Sequence, residues 1–154
     1  MAKKNAGDLV SNRRASHEYE ILDTLEAGII LQGTEVKSLK DHGGNLQDAY
    51  ILISGTRVLL KGASISLYKY GNLHNHEEKR ERELLLHKKE TLKLKDLSQK
   101  QGLTLIPLAL YLKKGFIKVK VAVAKGKKMH DKREAVKSRE HKKEMARAIK
   151  HHNE

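Results

Sequence analysis

The sequence predicts a mainly β fold, a small antiparallel barrel or sandwich with two modest helices and a basic tail, and three observations carry that expectation. Short apolar runs recur between Gly, Asn, Asp and Ser punctuation from Asn12 to Ala124. Two of these runs, Leu103 to Leu112 and Phe116 to Ala124, meet across Lys113, Lys114 and Gly115 and read as a strand pair. From Lys125 onward the apolar residues almost vanish: the last thirty residues carry eleven Lys or Arg against five Asp or Glu and no aromatic. Such a segment cannot bury enough apolar surface to offset its ordering entropy. The layout is therefore a flexible N-terminus over 1–11, a folded body over 12–124 and a basic tail over 125–154, loose until something negative orders it.

The elements follow in chain order. Tyr19 to Leu25 alternates at strand period, Ala27 and Gly28 punctuate it with a bend, and Ile29 to Leu31 resume as a second strand. Thr34 and Glu35 read as a helix start, the carboxylate sitting near the positive end of the dipole; Val36 and Leu39 face inward, and Gly43 and Gly44 stop it. Ala49 to Ile53 and Arg57 to Lys61 form a hairpin across Ser54, Gly55 and Thr56. Residues 66–80, rich in Asn, His, Lys and Glu, read as a surface loop. Leu86, Leu94 and Leu97 share a helical face and Gly102 is a stop, which predicts a helix over Lys88 to Gln101. In the last strand Ile117, Val119, Val121 and Val123 take one face, so Lys118 and Lys120 point outward from the other.

Charge and composition narrow the function. The chain of 154 residues carries a formal charge of +13 and a pI of about 9.8, divided as +7 on the body and +6 on the tail. A polyanion is the implied partner, either nucleic acid or an anionic membrane surface. Aromatic residues make up 4% of the chain, Tyr19, Tyr50, Tyr68, Tyr70, Tyr111 and Phe116, with no Trp. Single-strand binders offer aromatic platforms for base stacking, so scarce aromatics favour a structured RNA held through backbone and shape. The absence of cysteine excludes disulfides and thiolate zinc sites. No signal peptide or membrane span is legible, which places the expected site of action in the cytoplasm.

No motif points to catalysis. His17-Glu18-Tyr19-Glu20 opens like a zinc-protease helix, but Ile21 stands where the second His is needed. His74 and His76 read as members of a solvated loop rather than metal ligands. Gly126-Lys127-Lys128 lacks the glycine-rich lead and the hydroxyl of a phosphate loop. Arg80 and Arg82, among Glu77, Glu78, Glu81 and Glu83, read as an ordinary solvated charge run. In the tail, Glu140 with Lys143 and Glu144 with Arg147 would support a helix once formed, at about 0.2–0.5 kcal/mol per pair, too little to hold one in isolation.

The ordered string NRRASHEYEILDTLEAG, GTEVKSLK, NLQDAY, RERELLLHK, LTLIPLALY, IKVKVAVAKGKK and HDKRE closely resembles the SsrA-binding protein family, in that family's order from about Asn12 to Arg139. The resemblance implies a barrel of the oligonucleotide-binding type and a role in bacterial trans-translation, without cofactor, metal or catalytic residue, as an expected monomer. The partner would be the tRNA-like end of transfer-messenger RNA (tmRNA), charged by alanyl-tRNA synthetase and delivered by elongation factor Tu. The tail would enter the vacant mRNA channel of the stalled ribosome beside the 16S rRNA of the decoding site and fold as a helix. Carried onto this chain, the RNA-binding positions are His17, Glu26, Leu85, His87 and Lys118, with Arg13, Arg14 and Lys120 as basic neighbours. Ribosome-binding positions are Lys127, Lys128, His130, Asp131, Lys132 and Arg133, with His130 expected to stack in the decoding centre. Glu26 would accept hydrogen bonds from base or ribose donors, or orient a neighbouring arginine. Glu83, Glu77 and Glu78 depart from the family pattern, which usually has a basic residue before the leucine triplet and a Pro-containing turn in the loop.

Two other classes of function stay open at this stage. A general ribosomal or nucleoid protein would bind any duplex by charge, with a steep salt dependence. An RNA-modifying enzyme would need a cofactor loop or a general base, and none is legible.

Overall fold

The computed structural model describes residues 8–127. The expectations for residues 1–7 and for the tail from Lys128 to Glu154 fall outside them. Among the described residues nine strands and three α-helices follow one another: β1 (Asp8–Ser11), α1 (Ala15–Glu18), β2 (Tyr19–Ile29), α2 (Gly33–Lys40), β3 (Gly44–Asn45), β4 (Tyr50–Ser54), β5 (Arg57–Lys61), β6 (Ser64–Ile65), β7 (Arg82–Leu85), α3 (Lys88–Lys100), β8 (Thr104–Lys113) and β9 (Phe116–Gly126). A 3₁₀ turn, Asn72–His74, lies in the loop before β7. Seven strands form one antiparallel sheet in the order β1-β8-β9-β2-β7-β5-β4, and β3 pairs with β6 beside it. The sheet curls until β4 lies against β8, which gives the expected small mainly β barrel.

The core is what the alternation of β9 demanded. Val119 and Val121 are fully buried together with Leu39 and Leu94 from the helices. The β8–β9 hairpin turns at Lys114 and Gly115, both with positive φ, the geometry of a type I′ turn that suits the twist of the flanking strands. Ala122 and Ala124 are buried on the opposite face, in a small second cluster with Ala15 of α1 and Ile106 of β8. The outward face of β9 is thus lysine-bearing only in its first half.

Several local expectations are corrected. β2 runs unbroken through Ala27 and Gly28; its irregularity falls between Ile21 and Asp23, where Leu22 is squeezed out and exposed. Gly28 is there for space: a Cβ on it would stand 3.2 Å from that of Leu85 on the neighbouring β7. Asp8–Ser11, expected to be loose, pair with β8 and bury Leu9 and Val10. His76 is buried, not solvated: Nε2 donates to the Ile65 carbonyl at 2.9 Å, which leaves Nδ1 to accept from the Thr34 hydroxyl at 2.9 Å.

The largest correction concerns Arg82, which is fully buried, as is Glu35. All five guanidinium donors find acceptors: Nε the Glu35 carboxylate at 2.5 Å, one amino group the Ala63 and Arg80 carbonyls, the other those of Glu77 and Glu78. Glu35 also accepts from Arg80 at 2.6 Å and, as the capping-box residue of α2, from the Gln32 amide at 2.8 Å. Burial pushes the Glu35 pKa up, but the hydrogen bonds from Arg80, Gln32 and Arg82 outweigh it and hold the carboxyl below its ordinary value. Burial likewise pulls the Arg82 guanidinium down, opposed by Glu35. His87 and Glu90 cap α3 in the same reciprocal manner, and Leu94 anchors it in the core.

Breaking a buried pair from one side leaves the other charge stranded, so Glu35→Gln is expected to cost roughly 3–5 kcal/mol in urea unfolding; a loss under about 1 kcal/mol would mean that the network is dispensable. A carboxylate whose pKa is depressed by folding contributes stability present above its unfolded value and lost as pH falls through the folded one. Stability is therefore expected to decline below pH 4.5, the unperturbed value, with a flatter decline in Glu35→Gln, as followed by circular dichroism.

Candidate nucleic-acid interface

The outward faces of β2, β9 and β8 come together through register. Glu26 lies opposite Lys120 and Gly28 opposite Lys118, while across the other ladder Lys118 faces Tyr111. Because Ala27 and Val119 between them point into the core, Glu26, Lys118 and Lys120 all project outward. On the far side of Gly28, β7 brings Leu85, and the start of α3 brings His87. Glu26, Gly28, Leu85, His87 and Lys118 line one shallow depression of about 320 Å³. Five of the expected RNA-binding residues, Glu26, Leu85, His87, Lys118 and Lys120, therefore belong to one neighbourhood.

The carboxylate at its centre is already engaged. The Tyr111 hydroxyl donates to Glu26 Oε2 at 2.6 Å, and Lys113 Nζ lies 3.3 and 3.2 Å from the two oxygens. The neighbour that Glu26 orients is thus a tyrosine and a lysine, not an arginine. The Tyr111 hydrogen bond, more than any other influence, holds the Glu26 pKa below its ordinary value; Lys113 and Lys118 add to this and desolvation opposes it. Tyr111 is pushed well above the usual phenol value by burial, then by Glu26 and Asp8. It remains a hydrogen-bond donor at any physiological pH.

Sequence reasoning missed Tyr111, Lys113 and Phe116. The signal was available in the hairpin: once the turn is placed at Lys114 and Gly115, residues 111 and 113 fall beside 118 and 116. Phe116 is 70% exposed, and Lys118 Nζ sits 5.9 Å from its ring centroid, a cation held against an aromatic face. Leu85 is 55% exposed beside them. The face therefore combines ammonium groups with apolar surface, which fits the sugar and base edges of a folded RNA better than phosphate alone.

The other three expected positions lie elsewhere. Arg13 and Arg14 precede α1 and His17 sits within it, all exposed, at the end of β2 where Tyr19 pairs with Gly126. From Tyr19 to Glu26 the strand covers on the order of 20–25 Å. Lys127 belongs to this far end: its amide donates to the Glu18 carbonyl at 3.0 Å and its ammonium to that of Ser16 at 3.0 Å. The expected ribosome contacts at Lys128, His130, Asp131, Lys132 and Arg133 lie outside the described residues. A cavity of about 520 Å³ opens at the seam between β4 and β8, and none of the Glu26 group lines it.

The family model described as SmpB protein matches residues 9–151. An SsrA-binding protein of Protochlamydia amoebophila is 57% identical over 96% of this chain and 97% of its own length. One from Staphylococcus aureus strain Newman is 47% identical over 96% of each. A solved chain from work described as "tmRNA-SmpB: a journey to the center of the bacterial ribosome" superposes with a TM-score of 0.67 at 41% identity, covering 82% of this chain and 92% of its own. With a matching model over nearly its whole length, close relatives of equal span and the same fold, this chain belongs to the SsrA-binding protein (SmpB) family.

Proposed function

We propose that this chain is the RNA-binding adaptor of trans-translation: it binds the tRNA-like part of tmRNA and places its basic tail in the empty decoding site of a stalled ribosome. Family membership and the likeness to a tmRNA-associated chain support this role. The observation that carries the RNA contact is the Tyr111–Glu26–Lys113 constellation beside Lys118. A carboxylate on a basic face weakens general attraction to phosphate, so its value lies in discrimination: it fixes two donors and presents a lone pair to a base or ribose hydroxyl. Arg13, Arg14 and His17, a strand's length away, would meet a second stretch of backbone of the same folded RNA. The protein performs no chemistry in this role; it acts in the cytoplasm as a monomer, with elongation factor Tu and alanyl-tRNA synthetase acting on the RNA that it accompanies. Lys127, Lys128, His130, Asp131, Lys132 and Arg133 are the proposed ribosome contacts.

A competition at fixed physiological salt between the tRNA-like domain and an ordinary duplex of equal length is expected to show a preference of about 10³-fold or more. Near-equal affinity would instead favour a general ribosomal or nucleoid protein bound by charge. Within the site, Tyr111→Phe is expected to weaken binding of the tRNA-like domain roughly twofold to tenfold, and Glu26→Ala at least as much. Because the two residues act as one unit, the double variant should lose no more than Glu26→Ala alone; fully additive losses would break the assignment. Ribosome association of both single variants should be unchanged, whereas ending the chain at Lys127 should abolish it and leave RNA binding intact.

A further inference from the structure

Two of the five tyrosines gather in one loop that supplies no residue to the Glu26 group. Tyr68 and Tyr70 form an edge-to-face pair, ring centroids 5.5 Å apart at 73°. Lys37 Nζ of α2 lies 5.6 Å from the Tyr68 centroid and Lys69 Nζ 5.2 Å from that of Tyr70. Tyr70 is 68% exposed, and Leu67 and Leu73 flank it at 52% and 97%. These are large apolar side chains turned to solvent from a single segment.

The loop's backbone is tied down. The Asn75 side chain accepts from the Tyr68 amide at 3.1 Å and donates to its carbonyl at 2.7 Å, while Gly71 closes a turn onto the same carbonyl at 2.9 Å. A Cβ on Gly71 would come 2.6 Å from Asn75 Nδ2, so the turn admits only glycine without rearrangement. His76, the next residue, is buried and bonded through both ring nitrogens. Exposed apolar side chains on a braced loop are preorganised for contact, not left over from packing.

We infer that the Tyr68–Tyr70 loop is a second RNA-contact surface, one that takes unpaired nucleotides by stacking a base on Tyr70 while Lys37 and Lys69 meet the adjoining phosphates. Protein-docking surfaces are depleted of lysine, whereas aromatic rings interleaved with cations are what an unpaired strand requires. Asp41 at the end of α2 lines one shallow depression with Tyr68 and Lys69, and Glu77 and Glu78 are exposed farther along the chain; Lys40 adjoins Asp41 and Lys79 adjoins Glu78 in sequence, so Lys37 and Lys69 at the rings leave the surface basic by one charge. Rings at 73° cannot stack two successive bases in parallel; Tyr70 takes one base and Tyr68 supports it edge-on. The inference rests on the chain's being an RNA-binding protein, but on none of the residues around Glu26.

The test uses the full chain and an oligoadenosine carrying one 4-thiouridine, with the tRNA-like domain measured in parallel. Tyr70→Ala is expected to weaken oligonucleotide binding roughly 5-fold to 100-fold and Tyr70→Phe to keep it within about twofold, with binding of the tRNA-like domain unchanged in both. Photo-crosslinks of the wild type should map to residues 67–73. Oligonucleotide binding indifferent to Tyr70→Ala, or crosslinks confined to Arg13, Arg14, Lys118 and Lys120, would overturn the inference. A wild type that failed to prefer the tRNA-like domain yet still lost oligonucleotide binding with Tyr70→Ala would sustain this surface and remove the adaptor role.

Discussion

The buried contact between Arg82 and Glu35 is the constraint on which the rest of the barrel hangs. A guanidinium taken fully out of water is tolerable only when every donor is matched, and here each of the five is, by acceptors from three separate stretches of chain. Glu35 belongs to α2, Ala63 to the turn after β5, and Glu77, Glu78 and Arg80 to the approach to β7. None of these could shift without leaving a charge or a carbonyl unpaired. The pair also sets the phase of β7: Arg82 and Leu84 face inward, so Leu85 must face outward. A slip of one residue would bury Leu85 and expel the arginine, so the network fixes one wall of the Glu26 depression from within.

That constraint was invisible in the sequence for a physical reason. Four of the five acceptors are backbone carbonyls, which carry no sequence signature, and the surrounding Glu and Lys residues give 77–83 the composition of a solvated run. His76 was misjudged in the same way, since its partners are a carbonyl and a hydroxyl forty-two residues away. Where side-chain period alone decides burial, as in β9, or where caps and stops frame a helix, as in α3, the elements were legible nearly to the residue. Gly28 lies between these cases. A glycine in a strand signals either a bend or a close approach, and only the neighbouring Leu85 distinguishes them.

At the candidate site the outward lysines were legible and the company of Glu26 was not. Tyr111 and Lys113 reach Glu26 across β9, eighty-five and eighty-seven residues away in sequence, and alternation within one strand cannot reveal a contact that depends on the register of three. What the arrangement adds is a polar contact whose parts hold one another in place. Tyr111 keeps the carboxylate charged and aimed, the carboxylate keeps the phenol protonated, and Lys113 offsets the local negative charge. A phosphate-binding patch needs none of this; a face that must distinguish one folded RNA from others does.

The length of the β2–β9 ladder then acquires meaning. At one end it carries the Glu26 group; at the other, Lys127 is bonded to two carbonyls of α1, so the point at which the tail departs is fixed to the body. The two ends are joined by paired strands whose backbone hydrogen bonds resist bending far better than a linker would. In the proposed role the RNA-binding face and the tail must act at once on different targets, the tRNA-like domain and the decoding site. A rigid ladder between them converts the position of one into the position of the other. A mobile joint at Lys127 would let the tail search a volume of directions and dilute its effective concentration at the channel. The two hydrogen bonds at that residue are therefore as much a part of the proposed adaptor as the residues proposed to meet RNA.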